Sequence, residues 1–101
     1  MVSRLSLQYL LEDLFGSPNV YYQPKTNTRM TYPAIKYTRE NVDEEYADDS
    51  TYIMTNMYQI YVIDPHPDNP VIEKLLRLPY CSIQRHYVAD DLHHYVFTIY
   101  Y

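Results

Sequence analysis

The hydrophobic positions at the start of the chain repeat with the period of a helix. They lie at Leu7, Leu10, Leu11, Leu14 and Phe15. This spacing of i, i+3, i+4, i+7 and i+8 forms one apolar stripe on an α-helix. Ser3 or Ser6 is suited to capping its start, Gly16 is suited to ending it, and Pro18 prevents its continuation. We therefore predict a helix over residues 3–15.

After this helix the pattern changes to the alternation and aromatic content typical of strands. Residues 19–23 form a short candidate strand that ends before a proline. The polar stretch 24–33 is bounded by prolines and predicts a loop. Residues 34–39 predict a second strand. Residues 57–63 are apolar at almost every position, which predicts a central strand covered on both faces.

The last third of the chain predicts a short helix followed by a hairpin. Asp68 or Asn69 is suited to capping a helix over about 70–78, and a proline follows that helix. Residues 81–88 and 93–101 alternate as two strands joined around 89–92.

These elements predict one α+β domain spanning residues 1–101. It is a mostly antiparallel sheet of about four to five strands, packed by the N-terminal helix and the second short helix and ending in a C-terminal β-hairpin. A chain of 101 residues has the size of a single domain.

Composition excludes several classes of function. The single glycine argues against the glycine-rich loops that hold phosphates. The net charge of −5 with scattered basic residues disfavours sequence-specific nucleic-acid binding. One cysteine permits neither an intramolecular disulfide nor a thiolate zinc cluster, which favours a reducing cytoplasm. The first residues do not resemble a convincing signal peptide, and we expect no membrane helix, which requires ~20 apolar residues.

Tyrosine is the outlier, with 14 residues against 2 phenylalanines. Protein–protein interfaces are enriched in tyrosine, because its ring is largely apolar and its hydroxyl is polar. The tyrosine content therefore favours an assembly component over an enzyme. A tyrosine-rich core explains the same tyrosine content equally well.

Histidines of the predicted hairpin raise the question of a metal. His86 lies across from His93 and His94, and with Asp90 or Asp91 a site of two histidines and one carboxylate is conceivable. Stacked or solvated imidazoles are the simpler interpretation, because neighbouring strand residues point to opposite faces.

A catalytic pair of Cys81 and His86 is not expected. Their separation along one strand predicts opposite faces. We therefore interpret Cys81 as a small buried residue, and we expect no catalytic residue, metal or cofactor.

Residues 40–50 are strongly acidic and contain no basic side chain. The carboxylates are Glu40, Asp43, Glu44, Glu45, Asp48 and Asp49. They lack the alternating ligands, central glycine and closing glutamate of an EF-hand calcium loop. Mutual repulsion instead favours an extended loop that faces solvent or a partner.

The order of motifs resembles the small tail-completion proteins of tailed bacteriophages. These motifs are Tyr-Pro-Ala-Ile-Lys-Tyr at 32–37, the acidic segment, Tyr-Gln-Ile-Tyr-Val-Ile-Asp at 58–64, and the hairpin with Ala-Asp-Asp-Leu-His at 89–93. The resemblance covers about residues 20–101. It implies a tail terminator at the head–tail junction of a virion, assembled in the cytoplasm of a bacterial host. It implies a ring, expected to be a hexamer, that ends the tail tube and meets the head-closure connector.

In such a ring we expect tyrosines to serve as mixed core and interface residues. The candidates are Tyr58, Tyr61, Tyr95 and Tyr100. Loops 24–33 and 40–55 are expected to be flexible or ordered by assembly. As a hypothesis, Asp43, Glu44, Glu45, Asp48 and Asp49 face a partner or the lumen, where negative charge lets DNA pass without specific binding.

Three other functions stay open at this point. The nearest is a head-closure or adaptor protein on the capsid side of the same neck. A small metal-dependent hydrolase would use His86, His93 and Asp90. A host-directed phage regulator would need no ring.

Overall fold

The computed structural model describes residues 4–40 and 56–101. Two helices and five strands follow one another in these ranges. They are α1 (Arg4–Phe15), β1 (Val20–Tyr22), β2 (Ala34–Glu40), β3 (Met57–Asp64), α2 (Val71–Leu76), β4 (Cys81–Ala89) and β5 (Leu92–Tyr100). The predicted α+β class and the C-terminal hairpin are confirmed.

The five strands form one sheet in the order β1-β2-β3-β5-β4. The first two strands are parallel, and every other pair is antiparallel. β3 is therefore the middle strand, as its apolar sequence predicts. β1 and β4 are the two edges, and they lie at opposite ends of the sheet.

Both helices contribute to a core on one face of the sheet, here called the helix face. Leu7 and Leu11 of α1 and Val71 and Leu75 of α2 are at most 2% exposed. They belong to one buried cluster with alternate residues of the three central strands. Those residues are Ile35, Tyr37, Tyr58, Ile60, Val62, Phe97 and Ile99.

The second face of the sheet receives no helix in the described residues, which corrects the expectation that β3 is covered on both sides. On this face Met57, Gln59 and Tyr61 are only partly buried, whereas Ile63 is buried. The alternation of β3 is therefore that of a strand with one fully buried face. On this second face the Tyr61 hydroxyl donates to Gln59 Oε1 at 3.1 Å.

A polar network ties α1 to the sheet at the β1 end. The Tyr37 hydroxyl donates to Gln8 Oε1, and Arg4 Nη1 donates to the same hydroxyl at 3.2 Å. The Arg4 guanidinium also lies 4.4 Å from the centroid of the Tyr22 ring. The core can bury a tyrosine here because its hydroxyl finds partners at the helix surface.

The helix ends follow local rules. Gly16 adopts φ of +73° just after α1, and its N–H donates to Glu12 O at 2.8 Å, as expected of a glycine ending a helix. The Asn69 side chain accepts from the Val71 N–H at 2.9 Å at the start of α2. That helix ends at residue 76 rather than 78, because the chain turns through Arg77 and Leu78 before the proline.

Candidate functional site

The terminal hairpin is joined by a tight turn of two aspartates. Ala89 pairs with Leu92, and both residues between them adopt positive φ, 53° at Asp90 and 62° at Asp91. Two successive residues of this kind form the type I′ turn, whose twist matches that of a hairpin. Aspartate tolerates this conformation better than most side chains, although less well than glycine.

Three aromatic rings stack on the helix face of this hairpin. His86 lies parallel to Tyr95 with ring centroids 4.2 Å apart, and its Nε2 is 3.1 Å from His93 Nδ1. The Tyr95 hydroxyl donates to the Pro67 carbonyl at 2.7 Å. The expectation that His86 approaches a histidine across the hairpin is confirmed. The rings form a cross-strand ladder of the kind that stabilises sheets.

The second face of the hairpin carries a smaller aromatic cluster. Tyr87 and His94 stack with centroids 4.6 Å apart, and the Arg85 guanidinium lies 5.3 Å from the centroid of the Tyr87 ring. His93 and His94 therefore point to opposite faces, as predicted. Arginine and tyrosine side by side on an exposed strand are the residues most enriched in protein interfaces.

A β-bulge lies in β4 and corrects the expected positions of Cys81 and His86. The register shifts between Ile83 and Arg85, so that Gln84 is the additional residue. Cys81 pairs with Ile99 and His86 pairs with Tyr95, which places both side chains on the helix face rather than on opposite faces. The extra residue inverts the alternation. They still lie at different levels of the strand, roughly 15 Å apart at the usual rise per residue.

The outer edge of β4 is long and bare. The strand has nine residues, and the seven from Ser82 to Val88 are all exposed. In the described ranges no other strand pairs with this edge. Exposed strand edges offer unpaired N–H and C=O groups to another chain, and proteins commonly protect them with proline, lysine or a very short strand. β4 contains neither proline nor lysine, although Arg85 and the bulge at Gln84 also discourage pairing.

The opposite edge, β1, is protected. It has only three residues. The Val20 carbonyl accepts from Gln8 Nε2 at 3.1 Å, and the Val20 N–H donates to the Pro18 carbonyl at 2.7 Å. Side chain and loop therefore occupy the outward groups of Val20, the first residue of this short edge.

The four predicted interface tyrosines lie in different environments. Tyr58 is 1% exposed and belongs to the core, so it does not form part of a surface. Tyr61 and Tyr95 are partly buried, and Tyr100 is 50% exposed. Lys36 Nζ lies 4.5 Å from the centroid of the Tyr61 ring on the second face. Glu40, expected in the acidic loop 40–55, is instead the last residue of β2 and pairs with Met57. The rest of that loop, with Asp43, Glu44, Glu45, Asp48 and Asp49, lies outside the described residues, whereas stretch 24–33 is a loop, as predicted.

Reasoning from the sequence missed several residues that shape these surfaces. Gln8 and Arg4 were not singled out, because a helix surface gives no sign of the strand that its polar side chains will contact. Arg85 and Tyr87 were not singled out either. Their alternation on an exposed strand was the available signal, and the bulge obscured it.

The described residues contain no group of three histidine, cysteine or acidic side chains placed to hold a metal ion. His86 and His93 come together, but Asp90, the carboxylate of the metal site considered from the sequence, lies in the turn. A groove of about 440 Å³ lies nearby, lined by residues 67–70 with Ile72, Glu73 and Tyr95.

Burial raises the pKa of three groups. Desolvation is the main cause at Tyr37, although the hydrogen bond from Arg4 opposes it. Desolvation also raises the pKa of Tyr58 and raises the pKa of Cys81 to about 11. A thiol with so high a pKa is a poor nucleophile at neutral pH. Cys81 packs against the core but is only partly buried, which corrects the expectation of a buried residue.

Within residues 4–40 and 56–101, neither helix is long and apolar enough to cross a membrane. No protein-family model, curated protein or solved structure matches this chain.

Proposed function

We propose that this chain is a structural protein of a tailed phage, of the tail-terminator type, which assembles into a ring at the head–tail junction. The observation that carries the proposal is the bare edge of β4, with exposed aromatic side chains on both of its faces. In a monomer such an edge promotes aggregation, whereas in an assembly it pairs with a strand of another chain. The order of motifs between residues 20 and 101 supports the particular type of assembly.

A closed ring joins one patch of each subunit to a different patch of its neighbour. The second face supplies one candidate patch, with Tyr61 partly exposed and Tyr100 half exposed. Tyrosine loses little side-chain entropy on docking, which suits such a contact. We propose the tail tube and the head-closure connector as further partners on the two sides of the ring.

Electron microscopy of virions labelled with an antibody against this chain tests the proposal. We expect label at the head–tail junction, with the ring at the tip of the tail tube. Label on the capsid side of the neck would instead identify a head-closure protein. Particles that lack the label altogether would overturn the proposal.

The acidic segment provides a second test. If its carboxylates line the passage for DNA, reversing the charge of Glu44, Glu45, Asp48 and Asp49 will slow DNA ejection, because a positive wall attracts phosphates. Replacing the same residues with glutamine and asparagine is the matched control for lost charge alone. Unchanged assembly together with unchanged ejection would remove this role.

A further inference from the structure

The charges and outward hydrogen-bonding groups of the β4 edge are complementary to those of a second copy of the same edge. We propose that two copies of the free chain pair their β4 strands antiparallel, about a two-fold axis at Tyr87. This contact does not depend on the proposed function. A two-fold contact joins identical patches, whereas a ring contact joins different ones. If the chain forms the proposed ring, the pair is a form of the free protein, away from the virion.

The first step is to identify which peptide groups point outward. In a hairpin with a two-residue turn, the flanking residues Ala89 and Leu92 form a hydrogen-bonded pair, and alternate residues then face the partner strand. Ala89, Tyr87 and Arg85 thus direct their N–H and C=O groups toward β5. The peptide groups of His86 and Val88 point to the open edge.

An antiparallel pair centred on Tyr87 satisfies these outward groups. It places His86 of each copy opposite Val88 of the other, so both residues exchange hydrogen bonds across the axis. The two Tyr87 side chains then lie opposite each other on the second face. Pairs of aromatic residues at such positions stabilise antiparallel sheets.

The same register is favoured by charge. It places Arg85 of one copy opposite Ala89 of the other, next to the Asp90–Asp91 turn and within reach of an arginine side chain. The contact forms twice, once on each side of the axis. A register centred on Arg85 would place two guanidinium groups opposite each other, which is unfavourable. The bulge at Gln84 interrupts the strand beyond Arg85, so the paired segment is 85–89.

Disulfide trapping tests the register. In a Cys81→Ser background, Tyr87→Cys places two thiols directly opposite each other, and we expect a disulfide-linked dimer under mild oxidation. The matched control is His86→Cys, whose counterpart across the axis is Val88. Its thiols lie too far apart for a disulfide. Equal trapping of both variants, or trapping of neither, would overturn the register.

Charge exchange tests the contact without a covalent bond. Light scattering after size-exclusion chromatography should show that the mass of the wild-type protein rises with its concentration, from 12.2 kDa toward twice that value. We expect Arg85→Asp to weaken association by roughly tenfold or more, because like charges then face each other. Adding Asp90→Lys and Asp91→Lys to that variant should restore the pair.

All three residues are exposed, and circular dichroism checks that each variant folds. A wild-type protein that stays at 12.2 kDa throughout the series, or an Arg85→Asp variant that pairs as well as wild type, would overturn the proposal. Because this readout uses free protein, its failure would leave the virion location to be tested separately.

Discussion

The two edges of this sheet differ in how completely they are protected. The β1 edge is three residues long, and its Val20 peptide groups are hydrogen-bonded to the Gln8 side chain and the Pro18 carbonyl. The β4 edge is nine residues long and exposed over most of its length. One end of the sheet is therefore completed by its own chain. At the other end no strand among residues 4–40 and 56–101 pairs with the edge, and an edge of this kind can pair with another chain.

The aromatic residues follow the same division. At the β1 end Tyr37 is buried, and its hydroxyl is held by Gln8 and Arg4. At the β4 end the rings of His86 and Tyr87 stack on opposite faces of an exposed strand. Tyrosine richness therefore has two causes in one molecule: a polar-tipped core and an exposed aromatic surface.

The largest expected difference lies within the terminal hairpin, between its end under the helices and its exposed end. Phe97→Ala removes a fully buried ring and should lower the free energy of unfolding by about 3–5 kcal/mol. Val88→Ala lies on the same face at the far end of the hairpin, where Val88 is 57% exposed, and should cost less than about 0.5 kcal/mol. Urea unfolding measures both. Comparable losses would mean that the hairpin end is also covered.

Removing single hydroxyl groups gives a smaller contrast. Tyr37→Phe leaves Arg4 and Gln8 without their shared partner and should cost about 1–3 kcal/mol. Tyr95→Phe loses one hydrogen bond, to the Pro67 carbonyl, in a more exposed place, and should cost about 0.5–1.5 kcal/mol. The same unfolding assay orders the two variants. A larger loss at Tyr95 would contradict the division described above.

Substitutions in the Asp90–Asp91 turn should change the stability of the monomer and the formation of the dimer in opposite directions. Asp90→Asn with Asp91→Gly relieves two aspartates at positive φ and should stabilise the monomer by roughly 1 kcal/mol. The same change removes the carboxylates that Arg85 faces in the proposed pair, so it should also weaken dimer formation. Thermal unfolding and light scattering are the two readouts. A variant that is both more stable and more dimeric would contradict the proposed contact.

The smallest expected effect concerns alkaline pH. Burial raises the pKa of Cys81 from 9.0 to about 11, so the unfolded chain loses its thiol proton first. The stability from this group is complete below pH 9 and is lost as pH rises toward 11. In Cys81→Ala the decline of the urea midpoint over this interval should be shallower. Part of the decline should remain, because burial also raises the pKa of Tyr37 and Tyr58. An identical slope in both proteins would contradict the burial of this thiol.

Most of the fold follows from local pattern. The apolar stripe of α1, the two faces of β2 and the central place of β3 all result from spacings that can be counted along the chain. The parallel pairing of β1 with β2 does not. It depends on the path by which stretch 24–33 returns the chain to run beside β1 in the same direction. No hydrophobic periodicity in the sequence predicts that path.

The candidate site was less predictable for a related reason. The approach of His86 to His93 follows from the hairpin alone. The bulge at Gln84 depends on the packing of both strands, and it moved Cys81 and His86 to the same face. The composition predicts Tyr58 among the mixed core and interface residues, because it does not distinguish a buried tyrosine from an exposed one. Burial depends on the helix above it.

Residue-resolved hydrogen exchange, measured at low and high protein concentration, tests the central claim most directly. The Tyr87 N–H faces β5 and should be protected at both concentrations, whereas those of His86 and Val88 should exchange rapidly in dilute protein and become protected as the protein is concentrated. Protection at His86 and Val88 that does not change with concentration would contradict an open edge that receives a second copy.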